Sequence, residues 1–352
     1  MSTKNFFRNQ LSKISLKRRL IIHLVLFCLI IWGGQSLPAQ TVLALQTSTA
    51  PTGANLLQAY FINVAQGNCI LVKFPSGGML LYDAGSTSSG VDPAYIARKF
   101  DTITGGANIG TVVLSHPDDD HINLVPYINQ ARNPQYVHIS QTQADYGPIA
   151  PWFTTVTGNG ATVVTYTANF WSANPLTNIA NSGACKVYVL AANVAGDPNT
   201  NSIVMSIDYK NDNILLTGDA TAITERFILR YWDDASLLTT LLSFGHHGSN
   251  HSSTKKFLAA ASPNIGIFSA SASHMGYGHP RCSIVDAVEK IVDSNGSKVG
   301  VATHQIDCFD RNTGGYVTEH NDLGIFLTAT QGNIRFRCDG QNHYDIYVDR
   351  LQ

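Results

Sequence analysis

The segment Leu114–Ile122, which reads LSHPDDDHI, places two histidines and three aspartates within six consecutive residues. The apolar run Ile109–Leu114 precedes these residues directly. We predict that a buried strand ends here and that a tight loop directs the imidazole and carboxylate groups toward one point. Divalent metal ions of hard or borderline character accept both kinds of ligand. The segment therefore predicts a metal site at the end of a strand.

Three further motifs extend this pattern, because each follows another strand-like apolar run. They contain Gly218-Asp219, His246–Ser249 (HHGS) and Gly278–Pro280 (GHP). A hydrolytic site with two metal ions needs about three protein ligands per ion and a position for water. We expect the metal ligands to be His116, Asp118, Asp120, His121, Asp219, His247 and His279.

Individual roles follow from the positions of these side chains. Asp219 is expected to bridge the two ions, which would lower the pKa of a bridging water toward neutrality. Asp120 is expected to be catalytic, either as a ligand or as the acceptor that orients the water. His246, also assigned a catalytic role, could be a ligand, a donor to phosphate or a partner of a ligand. Asp83 precedes a glycine turn and is expected to support the ligands from behind.

Other titratable residues in similar turns are expected to have ordinary roles. Asp119 should face the solvent or support a ligand from behind, since its neighbours point elsewhere. His274, His304 and His320 are isolated histidines, for which we expect surface positions.

The N-terminus differs from the rest of this chain of 352 residues, which is 44% hydrophobic and 13% charged. Six basic residues precede the apolar run Leu20–Trp32, and two glycines follow it. The run is shorter than the roughly 20 residues of a spanning helix, so we predict a cleaved secretory signal, with a retained anchor as the alternative. The expected organisation is a signal over 1–44, a linker over 45–56 and a hydrolase domain over 57–352. The expected location is secreted or periplasmic, with membrane contact only through the N-terminal segment.

Charge and cysteine content limit the function further. Without residues 1–44 the chain has 17 basic and 24 acidic residues, which argues against a broad basic face for nucleic acid. A small substrate, or a polyanion bound locally through metal ions, remains compatible. Five cysteines remain outside the signal; we expect mostly buried thiols and one disulfide at most, with no pairing assigned.

Alternating strand-like and helix-like segments predict an α/β fold with two mixed sheets between helix layers. Residues 140–200 are expected to form variable strands and loops, either as one wall of a substrate cleft or as a surface insertion with its own aromatic core. Helices are predicted over 93–100, 121–132, 220–233, 254–261 and 282–294. Strands are predicted over 59–64, 69–74, 79–83, 109–114, 185–190, 202–209, 213–217, 238–244, 265–269, 298–303, 324–328 and 333–337.

The ordered motifs resemble those of the metallo-β-lactamase superfamily, and more narrowly the hydrolase domain of the ComEC competence proteins. The motifs lie in 63–68 (NVAQGN), 82–85 (YDAG), 115–121 (SHPDDDH), 201–202 (NS), 216–219 (LTGD), 246–249 (HHGS) and 277–280 (YGHP). The resemblance covers residues 58–338 and implies an αββα sandwich, two zinc or manganese ions and hydrolysis of DNA phosphodiesters outside the cytoplasm. It also implies metal-site positions for His116, Asp120, His121, Asp219 and His279.

The chain departs from the family pattern at three positions. Asp118 stands where the superfamily usually has a second histidine, which favours harder ions such as Mn²⁺. Asn68 replaces a usual carboxylate. Asn201 stands where many members have another histidine ligand, so one metal would be held weakly. Asn201 and Ser249 are expected to contact the substrate instead.

These observations lead to one main hypothesis and two alternatives. The main hypothesis is a secreted phosphodiesterase or nuclease that uses a metal-bridging hydroxide and acts on a small-molecule or nucleic-acid diester. The same hydroxide could instead attack a lactam, a lactone or another carbonyl. A binding module with a degenerate metal site is the third possibility.

Overall fold

A computed structural model describes residues 42–47, 49–273, 276–294 and 303–351, and the strands lie mainly in two sheets. In chain order these strands are β1 (Val42–Gln46), β2 (Leu57–Phe61), β3 (Cys69–Lys73), β4 (Met79–Ala84), β5 (Thr111–Leu114), β6 (Tyr136–Ile139), β7 (Thr162–Thr165), β8 (Lys186–Ala191), β9 (Val204–Tyr209), β10 (Asp212–Leu216), β11 (Leu241–Ser243), β12 (Ile265–Phe268), β13 (His304–Asp310), β14 (Gly315–Asn321), β15 (Ile325–Leu327), β16 (Ile334–Cys338) and β17 (Tyr344–Val348).

Helices connect these strands and cover the sheets. They are α1 (Pro93–Thr104), α2 (Asp119–Ile122), α3 (Ala150–Gly158), α4 (Ala222–Tyr231), α5 (Asp234–Leu237), α6 (Lys255–Ala261), α7 (Cys282–Ser294) and α8 (Thr328–Gln331). Short 3₁₀ segments occur at Val125–Tyr127, Asn129–Arg132, Gln143–Ile149 and Gly245–Gly248. None of the helices among the described residues is long and apolar enough to span a bilayer.

The first sheet has the order β1-β17-β16-β2-β3-β4-β5-β6-β7 and the second has the order β15-β12-β11-β10-β9-β8. In the first sheet, neighbouring strands in the run β1-β17-β16-β2-β3-β4 pair antiparallel. Neighbouring strands in the run β4-β5-β6-β7 pair parallel. In the second sheet β15, β12, β11 and β10 are parallel, and β9 and β8 continue antiparallel. Both sheets are therefore mixed, as predicted.

Three apolar clusters hold the layers together. The first lies between the sheets and includes Phe61 and Val113 from one sheet and Ile207 from the other. The second packs helices α4, α6 and α7 on the outer face of the second sheet. The third packs α1, α3 and the 3₁₀ segments at 125–132 on the outer face of the first. This arrangement is the αββα sandwich that the sequence predicted.

Local signals explain the bounds of several helices; α1 begins at Pro93 as predicted but ends at Thr104, four residues beyond the expected end. Asp92 caps α1, since its side chain accepts a hydrogen bond from the amide of Ala94, and Pro93 occupies the first turn. Gly105, at φ 65°, ends the helix in the left-handed conformation that glycine adopts without strain. Helix α7 has the predicted bounds.

Two predictions about the helices were wrong. The helix expected over 121–132 is only the short α2 followed by 3₁₀ segments, because Pro126 lacks the amide hydrogen that a continuous helix requires. Residues 140–200 contain helix α3, which was not predicted. Trp152 and Phe153 of this helix are buried in the cluster on the first sheet, so they form neither a cleft wall nor a separate core.

The C-terminal part is richer in strands than the sequence indicated. Strands β13, β14 and β17 were not predicted, and most of the strand expected over 298–303 lies outside the described residues. The predicted signal over 1–44 also lies almost entirely outside them. Strand β1 pairs with β17 and buries Ala44 and Leu45, so the first residues of the expected linker are part of a sheet.

The cysteines follow the expected pattern. Cys282 and Cys308 form a disulfide that joins the start of α7 to β13. Cys69, Cys185 and Cys338 are buried free thiols. The prediction of mostly free thiols with one bridge at most is confirmed for the described residues.

Candidate metal centre

The loops that carry the predicted ligands meet at one edge of the sandwich. Strands β4 and β5 of the first sheet run parallel, as do β10, β11 and β12 of the second sheet. The carboxyl ends of parallel strands lie at the same edge of a sheet. The loops after β5, β10 and β11 therefore bring His116–His121, Asp219 and His247 together.

The centre of this site is a close group of three acceptor atoms. Asp219 Oδ1 lies 3.0 Å from His121 Nε2 and 3.5 Å from His247 Nε2. The two imidazole Nε2 atoms are 3.3 Å apart. All three side chains are at least nine-tenths buried.

The hydrogen bonds on the far side of each ring determine its tautomer. His121 Nδ1 lies 2.8 Å from Asp83 Oδ2, and His247 Nδ1 lies 2.6 Å from the carbonyl oxygen of Ser269. Carboxylate and carbonyl oxygens only accept, so each Nδ1 must carry the hydrogen. In the neutral rings both Nε2 lone pairs then face Asp219, and these three acceptors cannot satisfy one another. A cation between them resolves the conflict.

The donor set fits divalent metal ions. Possible ligand atoms cluster in two groups at this site, and within each group they all lie within 4.8 Å of one another. One group comprises His116, His121 and Asp219, and the other comprises Asp120, His121 and His247. His116 Nε2 and Asp219 Oδ1 are buried and have no hydrogen-bond partner among the described residues. Imidazole and carboxylate ligands in this number suit zinc and manganese alike.

The pKa shifts reveal the same need for positive charge. Burial raises the pKa of Asp219, but the charges of His247 and His121 outweigh burial and hold it well below its usual range. Burial lowers the pKa of His121, yet the carboxylates of Asp219 and Asp83 raise it well above its usual value. Without a metal, protonated histidines thus supply the charge that the carboxylates require.

Asp120 and His279 also have the protonation states in which these groups bind metal ions. Burial raises the pKa of Asp120, but the hydrogen bond with His247 and the charge of His121 lower it to about 2. Burial, with the charges of His247 and His246, lowers the pKa of His279 to about 3. A carboxylate and a neutral imidazole are the forms that bind metal ions.

Asp83 organises the site from behind. It is fully buried and has φ 57°, and its carboxylate accepts hydrogen bonds from the Ser115 amide and hydroxyl at 2.7 Å each and from Asn68 Nδ2 at 3.1 Å. The Ser115 hydroxyl in turn lies 3.0 Å from His116 Nδ1. One carboxylate thus orients His121 directly and His116 through Ser115, and this agrees with the supporting role expected for Asp83.

The loop carrying His246 and His247 has an unusual backbone. The two residues have φ 50° and 55°, and this left-handed conformation is strained outside glycine. The His246 amide donates to the carbonyl of Gly218, which fixes the loop beside Asp219. His246 Nε2 lies 3.6 Å from Asp219 Oδ2, while its buried Nδ1 has no partner among the described residues.

A cavity of about 120 Å³ opens over these groups, and every side chain that lines it is polar. The lining residues are Gln66, Asp118, Asp120, Asn199, Asp219, His246, His247, Tyr277 and His279. The sequence hypotheses did not include Gln66, Asn199 or Tyr277. Gln66 and Tyr277 lie inside motifs that carry the family resemblance, and Asn199 lies in residues 140–200, for which a cleft wall was one of the two expected roles.

Some predicted residues lie elsewhere. Asn201 and Ser249 are buried and do not line the cavity; Asn201 Nδ2 donates to the carbonyl of Gly196, and Ser249 Oγ accepts from the amide of His251. Their contact with substrate stays a prediction. Asp118 lines the cavity with its side chain 45% exposed, and Oδ2 lies 3.6 Å from His116 Nε2, outside both ligand groups.

The aspartate and histidines for which we expected ordinary roles differ in their exposure to solvent. Asp119 and His320 are exposed, as expected. The surface position expected for His304 was wrong: its ring is buried and stacks on Phe326, and Nε2 donates to the carbonyl of Ile325. His274 lies outside the described residues.

Comparison with known proteins agrees with the geometry. The model of the metallo-beta-lactamase superfamily matches residues 62–272, more than half of the chain. The chain belongs to this superfamily. The superfamily fold implies binding of divalent metal ions, and the two ligand groups among the described residues are suited to it.

Two curated proteins are similar in sequence to this superfamily member. Recombination protein 2 of Haemophilus influenzae, which is ComEC-like, is 27% identical over 271 residues, 75% of this chain and 29% of that protein. The uncharacterized protein YcaI of Escherichia coli is 39% identical over 74 residues, 21% of this chain and 10% of that protein. The chain therefore spans less than a third of either relative.

Solved structures show more distant likeness. YhfI of Bacillus subtilis, described as a metallo-beta-lactamase fold protein, gives a TM-score of 0.41 at 13% identity, covering 67% of this chain and 94% of that one. A diphosphatase of the PhnP family gives 0.39 at 10% identity, covering 61% of this chain and 87% of that one.

Proposed function

We propose that this protein is a metal-dependent phosphodiesterase that hydrolyses a small-molecule or nucleic-acid phosphodiester. The observation that carries the proposal is a small cavity, built over two groups of metal-ligand atoms, in which every lining residue carries a polar or ionisable group. A phosphodiester group is small and polar and matches this lining. A lactam or lactone with a bulky apolar substituent would need an apolar wall, and Tyr277 is the one aromatic residue in this lining.

The charge of the cavity also favours two ions and an anionic substrate. Three carboxylates line it, those of Asp118, Asp120 and Asp219. With neutral histidines, one divalent ion leaves this group with a net negative charge, which repels a phosphodiester anion. Two divalent ions reverse the sign. The expected cofactors are therefore two ions of zinc or manganese.

His116, His121, His247, His279, Asp120 and Asp219 would hold the ions, with Asp118 at the exposed side. When bound, the ions would supply Lewis acidity for the phosphoryl oxygens and for the attacking water. The buried Asp219 contacts His121, His247 and His246, and this supports the proposal that its carboxylate would serve both ions.

The side chains of the cavity account for the remaining chemistry. Asp120, whose carboxylate lines the cavity, would accept a hydrogen bond from the attacking water and orient the water toward phosphorus. His246 would donate a hydrogen bond from a ring N–H to a phosphoryl oxygen. Water adds to phosphorus, one ester P–O bond breaks, and the products are a phosphomonoester and an alcohol.

An extracytoplasmic location remains part of the proposal. The basic stretch followed by the apolar run Leu20–Trp32 supports export, and the similarity to the ComEC-like Recombination protein 2 is consistent with a membrane-associated or periplasmic setting.

A substrate panel tests the proposal. The metal-loaded protein should hydrolyse bis(p-nitrophenyl) phosphate or a single-stranded oligonucleotide, and Asp120→Asn should lower kcat by at least a hundredfold. Asp119→Asn, which changes the exposed neighbouring carboxylate, is the matched control and should leave kcat unchanged. Preferential hydrolysis of neutral lactones or lactams would support the carbonyl alternative. A protein that binds no metal during reconstitution and hydrolyses none of the substrates would support the alternative of a binding module.

A further inference from the structure

Gln66 lies at the wall of the cavity and none of the roles above uses it. Its side chain is 1% exposed and lines the cavity beside Asp120 and His247. Its Oε1 accepts a hydrogen bond of 3.3 Å from the amide of Ser271, which lies in the loop after β12. The residue thus connects a loop of the first sheet to a loop of the second.

The backbone around Gln66 is held tightly against the metal loop. Ala65 has φ 56°, and a Cβ on Gly67 would lie 2.2 Å from the carbonyl oxygen of Gly85. The amide of Asn68 donates to the carbonyl of Asp120 at 2.9 Å. Because its flanking residues are fixed in this way, Gln66 has a defined position relative to Asp120.

The bond from Ser271 also determines the orientation of the Gln66 amide group. A backbone N–H only donates, so the atom facing it must be the amide oxygen, and the NH₂ group points the other way. Nε2 has no hydrogen-bond partner among the described residues. Unlike the fully buried polar atoms that lack a partner, it keeps some contact with open space. Because Gln66 lines the cavity, Nε2 is available to donate a hydrogen bond into it.

We propose that Gln66 is a substrate-binding residue that donates a hydrogen bond from Nε2 to a non-bridging oxygen of the phosphoryl group. This inference rests on the proposed function and adds a neutral donor to the contact that His246 would make with the phosphoryl group. The carboxylates of the cavity can only accept, and the inward nitrogens of His121 and His247 are committed to the metal centre. Gln66 thus offers a neutral donor that is fixed before substrate binds.

Gln66→Glu tests the proposal with little change in shape. Glutamate keeps an oxygen for the Ser271 amide but replaces the donor with an acceptor and adds negative charge. We expect the KM for bis(p-nitrophenyl) phosphate to rise at least tenfold, since hydrogen bonds to charged groups are the strong ones, with a smaller change in kcat. Gln58→Glu is the matched control, because Gln58 lies on β2, accepts from the hydroxyl of Tyr60 and does not line the cavity.

Binding of inorganic phosphate, measured by calorimetry on the metal-loaded protein, gives a readout that does not need turnover. We expect Gln66→Glu to lower the affinity for phosphate at least tenfold. Gln66→Met, which removes the donor without adding charge, should lower this affinity severalfold. Both variants should keep the metal content of the wild type. Wild-type phosphate affinity in both variants would overturn the inference. Absence of phosphodiester hydrolysis in the wild type would instead contradict the proposed function, and the phosphate titration would still decide the role of Gln66.

Discussion

Asp83 Oδ2 lies 2.8 Å from His121 Nδ1, and both side chains are completely buried. This contact fixes the hydrogen on Nδ1 and leaves Nε2 free to face Asp219. The carboxylate behind the ligand therefore determines both the tautomer and the orientation of His121.

Asp83→Asn should weaken metal binding by about 10–100-fold, the usual effect of removing a carboxylate that orients a histidine ligand. The amide would also disturb the hydrogen bonds from Ser115 and Asn68. Metal affinity can be measured by competition with a chelating dye. Asp101→Asn, on the surface of α1, serves as the control, and equal affinities in wild type and Asp83→Asn would show that the contact does not orient the ligand.

Asp118→His should shift metal preference from manganese toward zinc, because imidazole is the softer ligand. The Asp118 carboxylate already lies 3.6 Å from His116 Nε2, so an imidazole at this position could join the first ligand group. We expect the ratio of zinc to manganese affinity to rise by about tenfold. Asp119→His places the same side chain at the exposed neighbouring residue and should not change the ratio; equal shifts in both variants would exclude a ligand role for residue 118.

His138 should make the protein sensitive to acid. Its ring is buried between the Tyr166 hydroxyl and the carbonyl of Asn178, and burial lowers its pKa to about 4. The unfolded chain takes up this proton near pH 6.5 and the folded chain only near pH 4, so stability is complete above pH 6.5 and falls between these values.

His138→Gln should therefore have a flatter stability profile than wild type between pH 6.5 and pH 4. The expected difference is about 2–3 kcal/mol in the free energy of unfolding over this range, measured by urea unfolding. The exposed His320→Gln is the control and should follow the wild type. Parallel profiles for wild type and His138→Gln would contradict the assignment.

The disulfide between Cys282 and Cys308 should stabilise the part of the fold that carries His279. Cys282 follows His279 by three residues, and the neighbouring Arg281 amide donates to the carbonyl of Gly248 in the HHGS loop. Replacing both cysteines by alanine should cost about 3 kcal/mol, from the entropy of a loop of this length. Dithiothreitol should destabilise the wild type but have no further effect on the variant. An unchanged urea midpoint would mean that the bridge carries no stability.

Much of this fold could be predicted from the sequence because its signals are local. Apolar runs that end in Gly-Asp, His-His-Gly or Ser-His-Pro mark strands whose polar groups gather at one edge, and the family resemblance supplied the layer order. The predicted helix 121–132 failed because the apolar pattern outweighed the single Pro126. Strands β13 and β14 were missed because their sequences, HQIDCFD and GYVTEHN, are rich in polar residues and become extended only through pairing with each other.

The site was predictable to the level of ligands but not of their partners. His121 and Asp219 lie in dense motifs, so residue type and spacing sufficed to find them. Gln66 and Asn199 enter the cavity through long-range packing, in the case of Gln66 through a bond with Ser271. No pattern along the chain encodes a contact between residues 205 positions apart.

A metal titration of the metal-free protein tests the central claim most directly. Increasing equivalents of Zn²⁺ or Mn²⁺ would be added while bound metal and the hydrolysis of bis(p-nitrophenyl) phosphate are measured on the same samples. We predict that two ions bind per chain and that hydrolysis appears only with the second, since a single ion leaves the carboxylates of the cavity with net negative charge. Full activity with one ion, or two bound ions without any phosphodiester hydrolysis, would contradict this account.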